Sequence, residues 1–123
     1  MKILVTGGAG LIGSNLVKQL VELSHSVFVA DNLWRGKLEN LNENGNPIIN
    51  LDTNFFNVDL RSPENCLAAC KGADAVFHLA DIVAGINYVF SNQLFLYQAN
   101  VIMNTHMLDA AIKNNVGKYI YVG

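Results

Sequence analysis

Two hydrophobic rhythms alternate along the chain. Lys2–Thr6 carries Ile3, Leu4 and Val5 as an unbroken apolar run, which suits a strand covered on both faces, as in a parallel sheet. From Leu11 the apolar positions Leu11, Ile12, Leu16, Val17, Leu20 and Leu23 fall at helical spacing. After a turn at Ser24-His25, Ser26–Ala30 predicts a second buried strand that ends at Asp31. Residues 37–46 are polar and asparagine-rich, with Leu38 and Leu41 predicting one short helical turn before a loop through Pro47. Asn54–Val58 predicts a third strand ending at Asp59-Leu60, and Pro63–Lys71 a short amphipathic helix that opens on proline and closes at Gly72. Asp74 leads into a fourth strand, Ala75–Leu79, followed by a mostly apolar loop, Ile82–Phe90. Asn92–Asn115 is the longest helical pattern, with Leu94, Tyr97, Val101, Leu108, Ala111 and Ile112 recurring at three- and four-residue steps. Tyr119–Val122 predicts a fifth strand.

Strands alternating with helices predict an α/β fold: a Rossmann-type, doubly wound parallel sheet of five strands in order 3-2-1-4-5, joined by right-handed crossovers. Residues 1–123 read as one domain without repeat or linker. A ligand would lie across the strand ends, at the switch between strands one and four.

The composition narrows the partners. Hydrophobic residues make up 51% and charged residues 15% of the chain, enough apolar material for a core. The formal net charge is −2, so no basic excess points to nucleic acid or an anionic membrane. No apolar run is long enough to span a bilayer, and the run after Lys2 is too short for a signal peptide, so the cytoplasm is the expected location. Cys66 and Cys70 stand four apart in a helical pattern. That spacing aligns their Cβ vectors poorly for a disulfide, and no further ligands stand near for a metal, so they read as small packing residues in a reducing compartment.

The chemistry concentrates in Gly7, Gly8, Gly10 and Gly13, between the first strand and the first helix. A helix start offers free backbone N–H groups and partial positive charge, which attract phosphate. Gly7 permits the tight turn, Gly10 lets a pyrophosphate approach the backbone, and Gly13 lets the helix lie close to the strand. Asp31 lies 18 residues beyond Gly13, near the separation expected for an acid that accepts hydrogen bonds from the adenine ribose. A carboxylate there repels a 2′-phosphate, which favours NAD over NADP, although Arg35 and Lys37 are basic neighbours. Asp31 also suits a cap or turn.

Thr6-Gly7-Gly8-Ala9-Gly10-Leu11-Ile12-Gly13 resembles the TGGxGxIG fingerprint of extended short-chain dehydrogenases/reductases, which include the NAD-dependent nucleotide-sugar epimerases and dehydratases. Asp31-Asn32-Leu33 with Arg35-Gly36-Lys37 resembles the D-N-L-x-R-G-x stretch of many sugar epimerases, and Ala75–Asp81 resembles their V-x-H-L-A-A segment. The resemblance covers the whole chain, but about the first third of such a protein's usual length. It implies that Gly7, Gly10, Leu11 and Ile12 hold the pyrophosphate side and that Asp31, Asn32 and Leu33 line the adenosine site. Asp59 and Leu60 would contact the adenine, Leu79 and Ala80 would pass the nicotinamide side, and Asn100 would hydrogen-bond near the cofactor and the strand ends. Asp59, with Ser62, equally suits a helix cap. His78 has no carboxylate or nucleophile partner in the sequence pattern and reads as a packed or hydrogen-bonded structural residue; His106 reads as helix surface or core. Asp81 departs from the family's small residue, and an acid beside a pyrophosphate is unfavourable unless it points away or is paired. The 82–92 stretch resembles that of GDP-mannose 3,5-epimerases but keeps only Gly85 of their glycines, and Val83 stands near the position of a ribose-holding lysine in some four-epimerases.

The family's proton-transfer pair, Tyr-x-x-x-Lys, is absent from the 123 residues. The expectation is therefore the NAD-binding portion of a nucleotide-sugar epimerase or dehydratase that works by transient hydride transfer. This portion stops before a sixth strand, the catalytic residues and the sugar-binding lobe. A net oxidoreductase of the same fold and a non-catalytic NAD-binding module are the alternatives. An uncovered sheet face and an unpaired edge on the fifth strand predict marginal stability or self-association, as in a homo-oligomer.

Overall fold

The computed structural model describes residues 1–82 and 92–122. Its centre is β1 (Lys2–Thr6), paired in parallel with β2 (Ser26–Asp31) on one side and β6 (Ala75–His78) on the other. β5 (Phe55–Asn57) extends the sheet beyond β2, and β7 (Lys118–Tyr121) extends it beyond β6. The order β5-β2-β1-β6-β7 is the expected 3-2-1-4-5, all parallel. Every strand therefore ends on the same edge, at Thr6, Asp31, Asn57, His78 and Tyr121.

The unbroken apolar runs follow from burial on both faces. Ile3 and Val5 join Val17, Leu20, Val27 and Val29 beneath α1 (Leu11–Glu22). Leu4 points the other way, with Val76, Cys66, Cys70, Met103 and Met107, beneath α2 (Pro63–Cys70) and α3 (Gln93–Lys113). Burying one Leu, Val or Met side chain contributes roughly 1.5–3 kcal/mol. At the opposite edge of the sheet, the Lys2 N–H donates to Asp74 at 2.8 Å, and its ammonium donates to the Lys71 carbonyl at 2.7 Å.

Three details differ from the sequence pattern. Leu11 and Ile12 are 77% and 73% exposed, and Leu23 is exposed too; the residues α1 buries are Gly13, Ser14, Val17 and Leu20. On α3 the buried row is Leu96, Ala99, Met103, Met107, Ala110 and Ala111, while Leu94, Tyr97, Val101, Leu108 and Ile112 face outward. Both faces of α3 are apolar, so periodicity alone picks out the outward one, except at Ala111, which is buried. Within the expected loop, β3 (Asn42–Glu43) and β4 (Asn46–Pro47) form a hairpin after a one-turn 3-10 helix at Leu38–Leu41. Its tip is Asn44-Gly45, both at positive φ (53° and 80°), the residue pair that favours a two-residue hairpin turn. The loop reading of residues 83–90, Gly85 and Val83 included, lies outside the described residues.

Candidate functional site

β1 ends in a turn that only glycine can build. Gly7 has φ +69°, and a Cβ there would stand 2.9 Å from the Ala80 nitrogen. A Cβ on Gly13 would run into the Gly7 carbonyl oxygen and the Gly8 backbone. α1 can therefore start directly against the turn. Gly10 is its N-cap and supplies no side-chain cap, and the first N–H groups of a helix have no partner within it. A Cβ on Gly10 would meet only the Gly7 oxygen, at 3.3 Å, so the space over these amides is open.

Asp31 holds the other side of the turn. It is only 8% exposed. Its Oδ2 accepts from the Ala9 N–H at 3.0 Å and its Oδ1 from the Leu33 N–H at 2.8 Å. The Ala9 carbonyl accepts in turn from the Lys37 N–H at 3.0 Å and the Asn40 side chain at 2.9 Å. The carboxylate is thus a turn-builder as well as a wall of the cleft. An ionised carboxylate has about four acceptor positions, so the two bonds leave it able to accept more. Leu33, at φ +62°, and Asn32, whose Oδ1 accepts from the Trp34 N–H at 3.0 Å, fold the chain sharply after β2.

The cleft opens across the strand ends. Of the residues singled out in the sequence, Gly7, Gly10, Asp31, Asn32, Asp59, Leu60, Leu79 and Ala80 line it. Leu11, Ile12, Leu33 and Asn100 are not among its lining residues. Leu11 and Ile12 present backbone at the helix start while their side chains face solvent, and Leu33 packs toward the core beneath α1. Asn100 grips the chain just beyond β6: its Oδ1 accepts from the Ile82 N–H at 2.8 Å and its amide donates to the Ile82 carbonyl at 3.3 Å. Trp34, Arg35 and Gly36 on one wall, Arg61 on another and Met103 of α3 also line the cleft. Arg35 and Gly36 belong to the D-N-L-x-R-G stretch already noted, but Arg61 and Met103 carry no motif.

Asp59 caps no helix. Ser62 is the N-cap of α2, accepting from the Asn65 N–H at 3.4 Å. Asp59 is instead gripped by Arg61, with Nε at 3.1 and 3.0 Å from its two oxygens and Nη2 at 2.7 Å from Oδ2. That guanidinium holds the Asp59 carboxyl below its usual range, while the arginine is pushed higher by the same bond. Asp81 lines the cleft near Ala80; desolvation raises its carboxyl above the usual range, against a hydrogen bond from the Ile82 backbone.

His78 is fully buried, with one ring nitrogen 2.6 Å from Thr6 Oγ1 and the other 2.7 Å from Asn104 Oδ1, the structural placement expected of it. His106 is half-buried on α3. Cys66 and Cys70 are buried free thiols, pushed up by desolvation to about 12 and about 11, and Cys66 donates to the Leu60 carbonyl. Thiols held protonated so far above neutral pH are poor nucleophiles. Among the described residues no helix is long and apolar enough to cross a membrane, and no three His, Cys, Asp or Glu side chains gather as a metal site.

The chain matches known proteins over nearly its whole length. The profile of the NAD dependent epimerase/dehydratase family matches residues 3–123. GDP-mannose 3,5-epimerase of Arabidopsis thaliana is 32% identical over 121 residues, which are 98% of this chain and 30% of the relative. Among solved structures, UDP-glucose 4-epimerase of Thermotoga maritima, crystallised with UDP-glucose, is 35% identical with a TM-score of 0.81, over 98% of this chain and 37% of that one. The Thermus thermophilus UDP-glucose 4-epimerase complex with NAD is 34% identical with a TM-score of 0.79, over 97% of this chain and 36% of that one. The chain thus spans about a third of the length of the proteins it matches.

Proposed function

The chain belongs to the NAD dependent epimerase/dehydratase family, and from that premise we propose that its cleft binds NAD as the cofactor-holding portion of a nucleotide-sugar epimerase or dehydratase. The observation that carries this reading is the pairing of two features across one turn. The start of α1 presents amides without helical partners over open space at Gly10, and the Asp31 carboxylate keeps acceptor capacity on the facing wall. The first suits a pyrophosphate and the second a ribose diol.

Each residue then has a stated task. Gly7, Gly10, Leu11 and Ile12 give the phosphates backbone N–H groups and partial positive charge. Asp31 accepts from the adenosine ribose, with Asn32 and Leu33 closing that end. Asp59 and Leu60 stand beside the adenine, and Arg61 keeps Asp59 ionised in place. Leu79 and Ala80 form the wall along the nicotinamide side, and Asn100 fixes the chain beyond it through Ile82. When bound, NAD supplies reversible hydride transfer to and from a sugar carbon. With no Tyr-x-x-x-Lys in these 123 residues, the part assigned to this chain is binding and orientation rather than proton transfer. The nucleotide sugar belongs to the whole protein. The outward apolar row on α3 supports self-association with a second copy, and the unpaired thiols suit a reducing cytoplasm.

Calorimetric titration of NAD into the chain and into Asp31→Ala tests the reading. Binding to the parent, weakened about tenfold or more in the variant, is expected, since lost hydrogen bonds to a charged acceptor are worth roughly 1.5–3 kcal/mol. Equal affinity in the two would remove Asp31 from the site, and no heat from either would remove NAD.

A further inference from the structure

Thr6, at the end of β1, carries a hydroxyl with three neighbours. The N–H groups of Leu79 and Ala80 each lie 3.1 Å from its Oγ1, and His78 Nδ1 lies 2.6 Å away. A hydroxyl has one hydrogen and two lone pairs. The two amides can only donate, that of Leu79 being shared with the Thr6 carbonyl at 3.2 Å, so both lone pairs face donors. The hydroxyl hydrogen therefore goes to Nδ1, which must be the unprotonated ring nitrogen. The ring proton sits on Nε2 and donates to Asn104 Oδ1 at 2.7 Å. The Asn104 amide then donates to the Tyr121 hydroxyl at 3.2 Å. This chain of bonds ties the ends of β1, β6 and β7 to the middle of α3, and only one tautomer of neutral His78 satisfies it.

The fragment it holds is a wall of the cleft. Leu79 and Ala80 line the cleft, and Ala80 lies so close to Gly7 that any Cβ at position 7 would collide with it. Where Thr6 holds these two amides sets the spacing between that wall and the glycine turn. We propose that His78, as the Nε2-protonated neutral ring braced by Asn104, is a positioning residue that keeps the Leu79–Ala80 wall at the spacing NAD requires, an inference that rests on the NAD reading of the cleft.

Charging the ring breaks this arrangement. Nδ1–H would be a third donor directed at Thr6 Oγ1, and the hydroxyl hydrogen would lose its acceptor. Among the described residues, the groups facing His78 come from three elements. From β1 and α3 come uncharged Thr6 and Asn104, and from β7 the rings of Tyr119 and Tyr121, 6.3 and 5.8 Å away between centroids. Burial raises the Tyr119 phenol, so it stays neutral. Among the described residues, Asp81 is the carboxylate that acts on the ring, and it favours the charged form. Desolvation outweighs both Asp81 and the Asn104 hydrogen bond, which also favours the charged form, and holds His78 below its ordinary value of 6.5. The ordered wall is therefore fully present above that value and is lost as pH falls through the lower one of the folded protein.

The test uses the whole 123-residue chain. Nitrogen-15 NMR of the histidine rings at neutral pH should show His78 as a single tautomer with the proton on Nε2; an Nδ1-protonated or mixed ring overturns the proposal, whatever NAD does. NAD affinity should stay level above pH 6.5 and fall below the pH at which the same spectra show the His78 ring of the folded chain becoming charged. His78→Asn keeps an acceptor for the Thr6 hydroxyl but cannot charge, so its NAD affinity should stay level over the same range. Asn104→Leu, outside the cleft, should weaken NAD by about fivefold and return His78 to mixed tautomers. NAD affinity in the parent that does not change as the His78 ring becomes charged, or that falls equally in His78→Asn, overturns the role of His78 while leaving NAD binding in place. No NAD binding at any pH overturns the reading of the cleft, and the positioning role with it.

Discussion

α1 and α3 pack on opposite faces of the same sheet and reach it by opposite means. α1 comes in through missing side chains: Gly13 and Ser14 are buried at its start, and Gly13 lies against the Gly7 backbone. α3 comes in through long ones, with Met103 and Met107 filling the space to β1 and β6. The difference sets what each helix can offer the cleft. α1 delivers bare backbone amides. α3 sends polar side chains to the strand ends, Asn100 to Ile82 and Asn104 to His78.

Substitutions in the two helices should therefore fail differently. Gly13→Val should do the most damage, because its Cβ meets backbone that cannot move without opening the turn. A loss of about 3 kcal/mol or more in urea unfolding is expected; a loss under 1 kcal/mol would show that α1 can back away. Met107→Ala, which empties a fully buried position on α3, should cost about 2–5 kcal/mol in the same measurement. Its neighbour Leu108→Glu lies on the outward row and should change monomer stability by no more than about 0.5 kcal/mol. In sedimentation, Leu108→Glu should dissolve any self-association of the parent; unchanged assembly would move the contact elsewhere. Asp59→Asn should have the smallest effect, under about 1 kcal/mol, because the Asp59–Arg61 pair is half exposed. Arg61 lowers the folded value for Asp59 beneath 3.8. Its stabilisation is thus present above that pH and lost as pH falls through the lower value, where parent and variant unfolding curves should converge.

The same contrast explains what could be read from the chain beforehand. The sheet order followed from alternating strands and helices and the handedness of their crossovers. The turn was legible because glycine spacing is a direct record of where backbone must touch backbone. The buried row of α3 was not, since a second apolar row lies on its other side and periodicity cannot rank the two. Leu11 and Ile12 were misplaced for a related reason: they continue a helical pattern whose true inward residues at that end, Gly13 and Ser14, are too small or too polar to count. The Asp59 cap reading failed because Arg61, two residues on, offers the carboxylate a charged donor while Ser62 already caps α2. The Asn44-Gly45 hairpin carried its signal, but the flanking residues are polar and drew no strand assignment. Asn104 carries no motif, and its partner His78 is 26 residues away.

The double duty of Asp31 bears on any attempt to retune the cleft. Its oxygens anchor Ala9 and Leu33, and a side chain at Gly36 would press to 2.9 Å from one of them. Exchanging the acid for a neutral or basic residue, the obvious route to a phosphorylated ribose in the proposed NAD site, would also pull the pin from the glycine turn. Changing the charge on this wall is therefore a coupled redesign, in which a new acceptor for the Ala9 amide has to arrive together with the new side chain.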